Sequence, residues 1–172
     1  MTAYRWYEVV ARDGLQQGDI FERIPVFSVE ASTVEAAADV AANWEEVDAV
    51  VMTQSCDLAP GREKVSHVVL CALWDCAKLT TGHLSTPKGR EDLRRGNLPA
   101  FHLLNKCDES RFERGYRVVD FRKLYSIPLV AARSHGDRPH CRLKPPYREH
   151  LSQAFARYFM RVGLPVDIPA FL

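Results

Sequence analysis

Two uninterrupted apolar runs dominate the hydrophobic pattern of the chain. Ala49–Thr53 has the sequence AVVMT, and His67–Leu73 has the sequence HVVLCAL. Short continuous runs of this kind are typical of central strands that are covered on both faces. Tyr4–Arg12 is rich in aromatic and β-branched residues and predicts another strand. Shorter apolar segments predict further strands at Asp19–Phe27, Ala100–Leu104, Tyr116–Phe121 and Leu124–Ala131. Pro25 restricts the first of these to an edge or a bend.

The clearest helical period lies near the end of the chain. Its apolar positions are Leu151, Phe155, Tyr158, Phe159 and Val162. Pro145-Pro146 precedes them and Gly163 follows, which predicts an amphipathic helix over Arg148–Val162. This helix either packs on the sheet or forms an interface with a partner. The segment before it, 132–146, has Pro, Gly and many charges and is interpreted as a loop.

Two other segments carry helix signals. Thr86-Pro87 predicts the start of a basic helix over Lys88–Arg95, which Gly96 ends. The acidic, Ala-rich segment 28–48 contains Ser32 followed by Glu35, the pattern of a helix N-terminus. Its part from Val34 to Trp44 forms either a short helix or a poorly ordered surface insertion. Together these elements predict one α+β domain over 1–172, with a core at about 4–131.

Composition and charge narrow the class of protein. The chain has 172 residues, of which 47% are hydrophobic, as in an ordinary globular domain. It has no run of 18 apolar residues and no apolar segment near its N-terminus, so we expect a cytoplasmic protein without a membrane partner. The net charge of +1 conceals two opposed halves. Residues 1–84 have 6 Lys/Arg against 13 Asp/Glu, and residues 85–172 have 17 against 9.

The five cysteines do not follow a known pattern. An odd number in a chain of cytoplasmic character argues against a disulfide framework. Their spacings, and those of the six histidines, match no zinc signature. We therefore expect neither a metal nor a cofactor. Cys71 alternates with Val69 and Leu73, which indicates a position in the core.

The segment Gln54-Ser55-Cys56-Asp57 is the first candidate site, because it directly follows a predicted buried strand. Gln54, Ser55 and Asp57 are candidate ligand-binding residues. Cys56 and Asp57 are candidate catalytic residues, although a nucleophilic thiol needs a base or a cation that the neighbouring sequence does not supply. The alternative interpretation is a structural cysteine with Asp57 capping the Pro60-Gly61 turn.

Basic residues in the second half form the second candidate site. The predicted nucleic-acid contacts are Lys88, Arg90, Arg94, Arg95, Arg117, Arg122 and Lys123. Aromatic residues alternate with them at Phe101, Phe112, Tyr116, Phe121 and Tyr125, and such rings stack on unpaired bases. The alternative is a solvated basic face with salt bridges to the acidic half.

The order of these elements resembles the MazF/PemK family of small β-barrels. The residues that carry the resemblance span roughly 15–129: Gly18-Asp19-Ile20, AVVMTQ, HVVLCAL, a strand opened by Leu98-Pro99, and the segment Val118–Leu129. It implies a strongly curved antiparallel sheet or SH3-like barrel. The combination QGDIF…VVMTQSCDL also resembles uncharacterised bacterial proteins found beside mobile elements and defence genes.

The chain departs from the residues with which MazF-like proteins cut RNA. The resemblance implies an Arg in the loop after the first strand, but the segment 28–48 has none. It also implies a Thr or Ser at the end of the third strand, where Leu73-Trp74-Asp75 stands. We therefore expect a nucleic-acid-binding protein with a toxin-antitoxin-like fold but without the usual ribonuclease residues. The expected context is a bacterial defence system or a mobile element. The first alternative is a protein-interaction or ligand-sensing subunit, with a protein partner or as a homodimer. The second is a divergent nuclease or a Cys56-dependent enzyme.

Overall fold

A computed structural model describes residues 5–29 and 42–160. Its strands form one antiparallel sheet in the order β1-β7-β2-β3-β4-β6-β5. The strands are β1 (Tyr7–Val10), β2 (Asp19–Val29), β3 (Ala42–Val51), β4 (His67–Asp75), β5 (Phe101–Leu104), β6 (Arg117–Pro128) and β7 (His140–Leu143).

Four helices accompany the sheet in the described part of the chain. They are α1 (Ser55–Leu58), α2 (Pro87–Arg94), α3 (Leu129–Gly136) and α4 (Tyr147–Phe159). The Thr86 hydroxyl accepts a hydrogen bond from Gly89 N and caps α2, while Pro87 occupies its first turn. None of these helices is long and apolar enough to cross a membrane.

Both faces of the sheet are covered, which explains the uninterrupted apolar runs. Along β3, Val50 packs on one face and Val51 on the other, because side chains alternate along a strand. The first face is covered by α4 through Leu151, which is fully buried. The second is covered by α1 and α3, through residues such as Leu58 and Ala132. The two strands predicted from AVVMT and HVVLCAL therefore lie at the centre of the fold.

The structure confirms the α+β class, the single antiparallel sheet and the basic helix. At Pro25, β2 pairs with β3 alone, because its pairing with β7 covers only Asp19 and Ile20. A register shift between Phe21 and Ile24 accompanies this change. A proline is accepted here since no second neighbour requires its missing N–H.

The predicted loop over 132–146 is wrong. Helix α3 continues to Gly136, and β7 lies between β1 and β2 with all four residues buried. The polar character of His140 and Arg142 suggested a loop, but Arg142 forms an ion pair with buried Asp19, and His140 lies beside the same carboxylate. Interior ion pairs of this kind cannot be seen in a hydrophobic pattern.

Two other boundaries also differ from prediction. The segments Tyr116–Phe121 and Leu124–Ala131 belong to one long strand, β6, followed directly by α3. Trp44, predicted at the end of a helix or insertion, lies in β3 opposite Phe27. The rest of that prediction, 30–41, falls outside the described residues, as does the predicted end of the last helix beyond 160.

Candidate functional site

The loop after β3 is built against the turn that precedes β2. The Ser55 hydroxyl accepts a hydrogen bond from the backbone N–H of Gln17 at 3.1 Å. The Gln17 amide donates to the Met52 carbonyl at 2.8 Å and to the Ser152 hydroxyl of α4 at 3.4 Å. The Gly-Asp-Ile and Gln-Ser-Cys-Asp segments, which are distant in sequence, therefore meet, and Ser55 has a structural partner.

Gly18 is required at this junction. Its φ is +87°, a region that favours glycine, and a β-carbon there would lie 3.1 Å from Arg148 Cγ and 3.3 Å from Leu143 Cβ. The turn therefore fits tightly between β7 and α4, and the Gln54–Asp57 loop rests on a rigid base.

Cys56 and Asp57 lie on the outer side of this loop. The Cys56 thiol is exposed, and its sulfur is 3.6 Å from both Gln54 Oε1 and Asp57 Oδ1. Asp57 Oδ1 also contacts Lys64 Nζ at 3.2 Å. Both neighbours of the sulfur are acceptors, and among the described residues no histidine forms a hydrogen bond with it. The geometry offers an accessible thiol and amide to a ligand. Of the two candidate catalytic residues, the Cys56 thiol has the Asp57 carboxylate as its potential base.

A buried charge cluster lies behind the same turn, and sequence reasoning missed it. The Asp19 carboxylate is fully buried and accepts from Arg142 Nε at 2.5 Å and from the Gln16 N–H at 2.8 Å. His140 Nε2 lies 3.3 Å from Asp19 Oδ2. The only sequence signal was an acid within a predicted apolar strand. The Asp of Gly-Asp-Ile therefore holds β2 to β7.

The predicted nucleic-acid residues separate into an exposed and a buried group. Lys88, Arg90 and Lys123 are exposed on the surface. Arg94 and Arg95 are exposed as well but share Glu91, and their hydrogen bonds, that of Arg94 foremost, lower the pKa of Glu91 to about 2. These salt bridges are local to α2 and its end, whereas the sequence predicted salt bridges to the acidic half, residues 1–84.

The prediction that Arg117 contacts a nucleic acid is wrong. Only 4% of Arg117 is exposed, so it cannot contact a nucleic acid at the surface. Strand alternation is the reason, because Arg117 lies on the same side of β6 as Val119 and Phe121, which face the core. Arg122 lies on the opposite side and reaches the surface.

Arg122 is held in a fixed position over an aromatic ring. Its guanidinium binds the buried Asp120 carboxylate through two bonds of 2.9 and 2.8 Å, which raises the pKa of Arg122 above its ordinary value. The same group lies 4.5 Å from the centre of the Phe101 ring. The planar Arg122 guanidinium is therefore held in one orientation, and 55% of the side chain is exposed to solvent.

Two cavities adjoin this arrangement. One of about 490 Å³ is lined by Trp74, His83, Phe101 and Arg122, among others. The second, of about 580 Å³, lies on the other side of Phe101 and is lined by His102, His150 and Arg157. Phe101 therefore lies between two recesses, each with polar side chains in its lining. The lining residues come from β4, β5, β6, α4 and the turn before α2.

Similar aromatic–cation pairs continue along the neighbouring loop. Lys106 Nζ lies 5.2 Å from the centre of the Tyr116 ring, and Arg111 lies 5.8 Å from that of Phe112. Tyr116 is 45% exposed. The Lys106–Tyr116 and Arg111–Phe112 pairs agree with the alternation of rings and cations expected from the sequence. Arg117 and Phe121 are buried, so the prediction that they take part in it is wrong.

Protonation of His102 makes the stability of the fold depend on pH, and this dependence can be measured. Burial, with a smaller effect of nearby His150, lowers the pKa of His102 to about 4. The unfolded chain takes up this proton near pH 6.5, so stability falls as the pH is lowered from about 6.5 towards 4. We expect His102→Phe to flatten this slope in urea titrations across that range. An unchanged slope would contradict the assignment.

Comparison with known proteins places the chain in no established family. No protein-family model matches it, and no curated protein is significantly similar to it in sequence. Within 5–29 and 42–160, no group of three or more His, Cys, Asp or Glu side chains is arranged to hold a metal ion.

Proposed function

We propose that this protein is a nucleic-acid-binding module for single strands, without the ribonuclease residues of MazF-like proteins. The observation that carries the proposal is the recess between Trp74 and the Phe101–Arg122 pair. An unpaired base can stack on an exposed indole or on the outer face of a guanidinium. Because Asp120 already holds the Arg122 side chain in place, that side chain loses little conformational entropy on binding.

Exposed cations surround this recess and supply backbone contacts. Lys123 follows Arg122 in the chain, and Lys88 and Arg90 lie on α2, which follows the His83 turn that lines the recess. Phosphate contacts by such side chains give affinity independent of sequence. Arg157 extends the positive rim on the other side of Phe101.

The shape of the sheet supports the related proposal of an SH3-like barrel. Strands β1 and β5 are the two edges in the pairing order, yet the Tyr7 hydroxyl of β1 donates to the Asn105 carbonyl just after β5, at 2.6 Å. A flat seven-stranded sheet would hold its edges much further apart, since neighbouring strands are about 4.8 Å apart. The half-buried Phe155 and Tyr158 of α4 pack on Phe121 of this curved sheet, as proposed for an amphipathic helix.

The end of β4 explains why binding is proposed without cutting. In the MazF-like resemblance this strand end carries a Thr or Ser, and here it carries Trp74, a wall of the recess. An indole supplies a stacking surface but no group for general acid or base catalysis.

Replacement of Trp74 tests the proposal. We expect Trp74→Ala to weaken binding of a short, fluorescein-labelled single-stranded RNA roughly tenfold or more in fluorescence anisotropy, because one stacking platform is lost. Wild-type affinity should fall steeply between about 50 and 200 mM salt. Trp44→Ala is the matched control, since Trp44 is 65% exposed on β3 and should leave affinity unchanged. Absent or salt-insensitive binding by the wild type would overturn the proposal.

A second candidate function is protein interaction, favoured by one observation. Phe27 and Trp44 are direct cross-strand partners and are 74% and 65% exposed. Two large aromatic side chains side by side at the surface are typical of a docking site. Selective loss of RNA binding in Trp44→Ala would place the nucleic-acid interface there instead.

A further inference from the structure

Two buried cysteines from distant parts of the chain are in direct contact. Cys141 lies in β7, and Cys107 lies between β5 and β6, where its backbone pairs with Arg114. The two sulfur atoms are 3.5 Å apart, and the residues are only 2% and 1% exposed. Both are free thiols. In the strand order, β7 is next to one edge and β5 forms the other, so this contact crosses the gap in the curved sheet.

A buried guanidinium with two unpaired nitrogens, which is hydrogen-bonded to the Tyr7 hydroxyl, lies beside this pair. Nε and Nη1 of Arg117 have no hydrogen-bond partner, although the residue is 4% exposed. Arg117 is near enough to act electrostatically on both Tyr7 and Cys141. An uncompensated buried charge is costly, which points to an anion that forms in its vicinity. Deprotonation of one thiol of the pair would provide that anion.

We infer that Cys107 and Cys141 are a redox pair that a hydroperoxide oxidises to a disulfide, with Arg117 as the counter-charge of the reacting thiolate. The bond would join β7 to the segment after β5 and fasten the two ends of the sheet together. This inference does not depend on the proposed nucleic-acid binding.

The reaction balances with hydrogen peroxide as the oxidant. A thiolate sulfur attacks one peroxide oxygen, the O–O bond breaks, and a sulfenic acid forms while the leaving hydroxide takes up the thiol proton as water. The second sulfur then attacks the sulfenic sulfur, the S–O bond breaks, and hydroxide leaves with the second thiol proton as water. The two sulfurs are oxidised, and one peroxide is reduced to two waters. Peroxide is small enough to reach a site that excludes larger disulfide oxidants.

Burial and Arg117 have opposite effects on the formation of the thiolate that the first step requires. Burial raises the pKa of Cys141, and Arg117 opposes this by favouring the thiolate. Cys141 is therefore protonated at neutral pH, and oxidation should accelerate as the pH rises. Without Arg117 it should become slower.

Intact mass measurement of the full chain tests the inference. The Cys56→Ala/Cys76→Ala variant removes the two thiols that are not buried and retains the pair. Treatment with hydrogen peroxide should lower its mass by two hydrogen atoms, link the peptides that contain residues 107 and 141, and raise the melting temperature by on the order of 10 °C. Reduction with dithiothreitol should reverse all three changes. Addition of oxygen atoms without a linked peptide, or no change in mass, would overturn the inference.

Two further variants serve as controls. Cys71 is also buried, but β2 and β3 lie between its strand and that of Cys141, so Cys71→Ala in the same background should leave oxidation unchanged. Arg117→Met should slow disulfide formation severalfold at constant pH without lowering the melting temperature, since among the described residues the buried charge that it removes has no carboxylate partner. An unchanged rate in Arg117→Met would refute the role of Arg117.

Discussion

Arg142→Ala is expected to destabilise the fold by about 3–5 kcal/mol, because it leaves the Asp19 carboxylate buried without its counter-charge. Arg142 donates to Asp19 from Nε and Nη2, at 2.5 and 3.1 Å. It also binds Asp13 at 2.7 Å and the Gly14 carbonyl at 2.7 Å. One side chain therefore joins β7, the start of β2 and the turn between β1 and β2.

Urea denaturation followed by circular dichroism measures this loss as a lower midpoint. Since domains of this kind are stable by only about 5–15 kcal/mol, this loss is a large fraction of the free energy of unfolding. The matched control is Arg94→Ala, because Arg94 is also ion-paired but its side chain is 64% exposed. Its cost should stay below about 1 kcal/mol. A midpoint for Arg142→Ala equal to that of Arg94→Ala would show that the buried cluster contributes little.

Phe121→Ala is expected to cost about 3–5 kcal/mol and to loosen the attachment of α4. Phe121 is fully buried in β6, and its ring packs edge-to-face on Phe155 with centroids 5.5 Å apart. Tyr158 and His102 lie at 6.0 and 6.4 Å on other sides of the same ring. Removal of the ring leaves a cavity that these neighbours cannot fill without moving.

Phe27→Ala is the matched control for this substitution. Phe27 is 74% exposed, so the same truncation at that position should change stability by less than about 0.5 kcal/mol. Hydrogen exchange supplies a second measurement, since amides of α4 should lose protection in Phe121→Ala before those of β3 and β4. Equal midpoints for the two variants, or unchanged protection of α4, would contradict the proposed position of Phe121 at the centre of this contact.

The extent to which the sequence predicts this fold depends on how each element is stabilised. The apolar end of β3, residues 49–51, and the apolar run of β4 were predicted correctly because they are buried on both faces. The exposed, polar beginning of β3, residues 43–46, was not predicted as a strand. Helix α2 was predicted from its Thr86 cap and Pro87, which are local signals. Strand β7 was missed because it contains the polar residues His140 and Arg142, whose partners Asp13 and Asp19 lie more than a hundred residues earlier.

The contrast between local signals and contacts of distant residues also applies to the candidate site. The sequence predicted candidate sites at Gln54–Asp57 and in the basic, aromatic second half. It could not distinguish Arg117 from Arg122, two basic residues on one strand, because the alternation of β6 places the first inside and the second over Phe101. It also could not show that Gln17 binds Ser55, or that Cys107 contacts Cys141.

By itself, the sequence determined the central strands, the capped basic helix and the chemical character of the surface, since periodicity and helix caps act between neighbouring residues. Only the tertiary structure decided which charges are buried, which cations lie beside rings and which thiols meet. Such contacts join residues far apart in the chain, and their energies depend on burial and distance, which no local pattern contains.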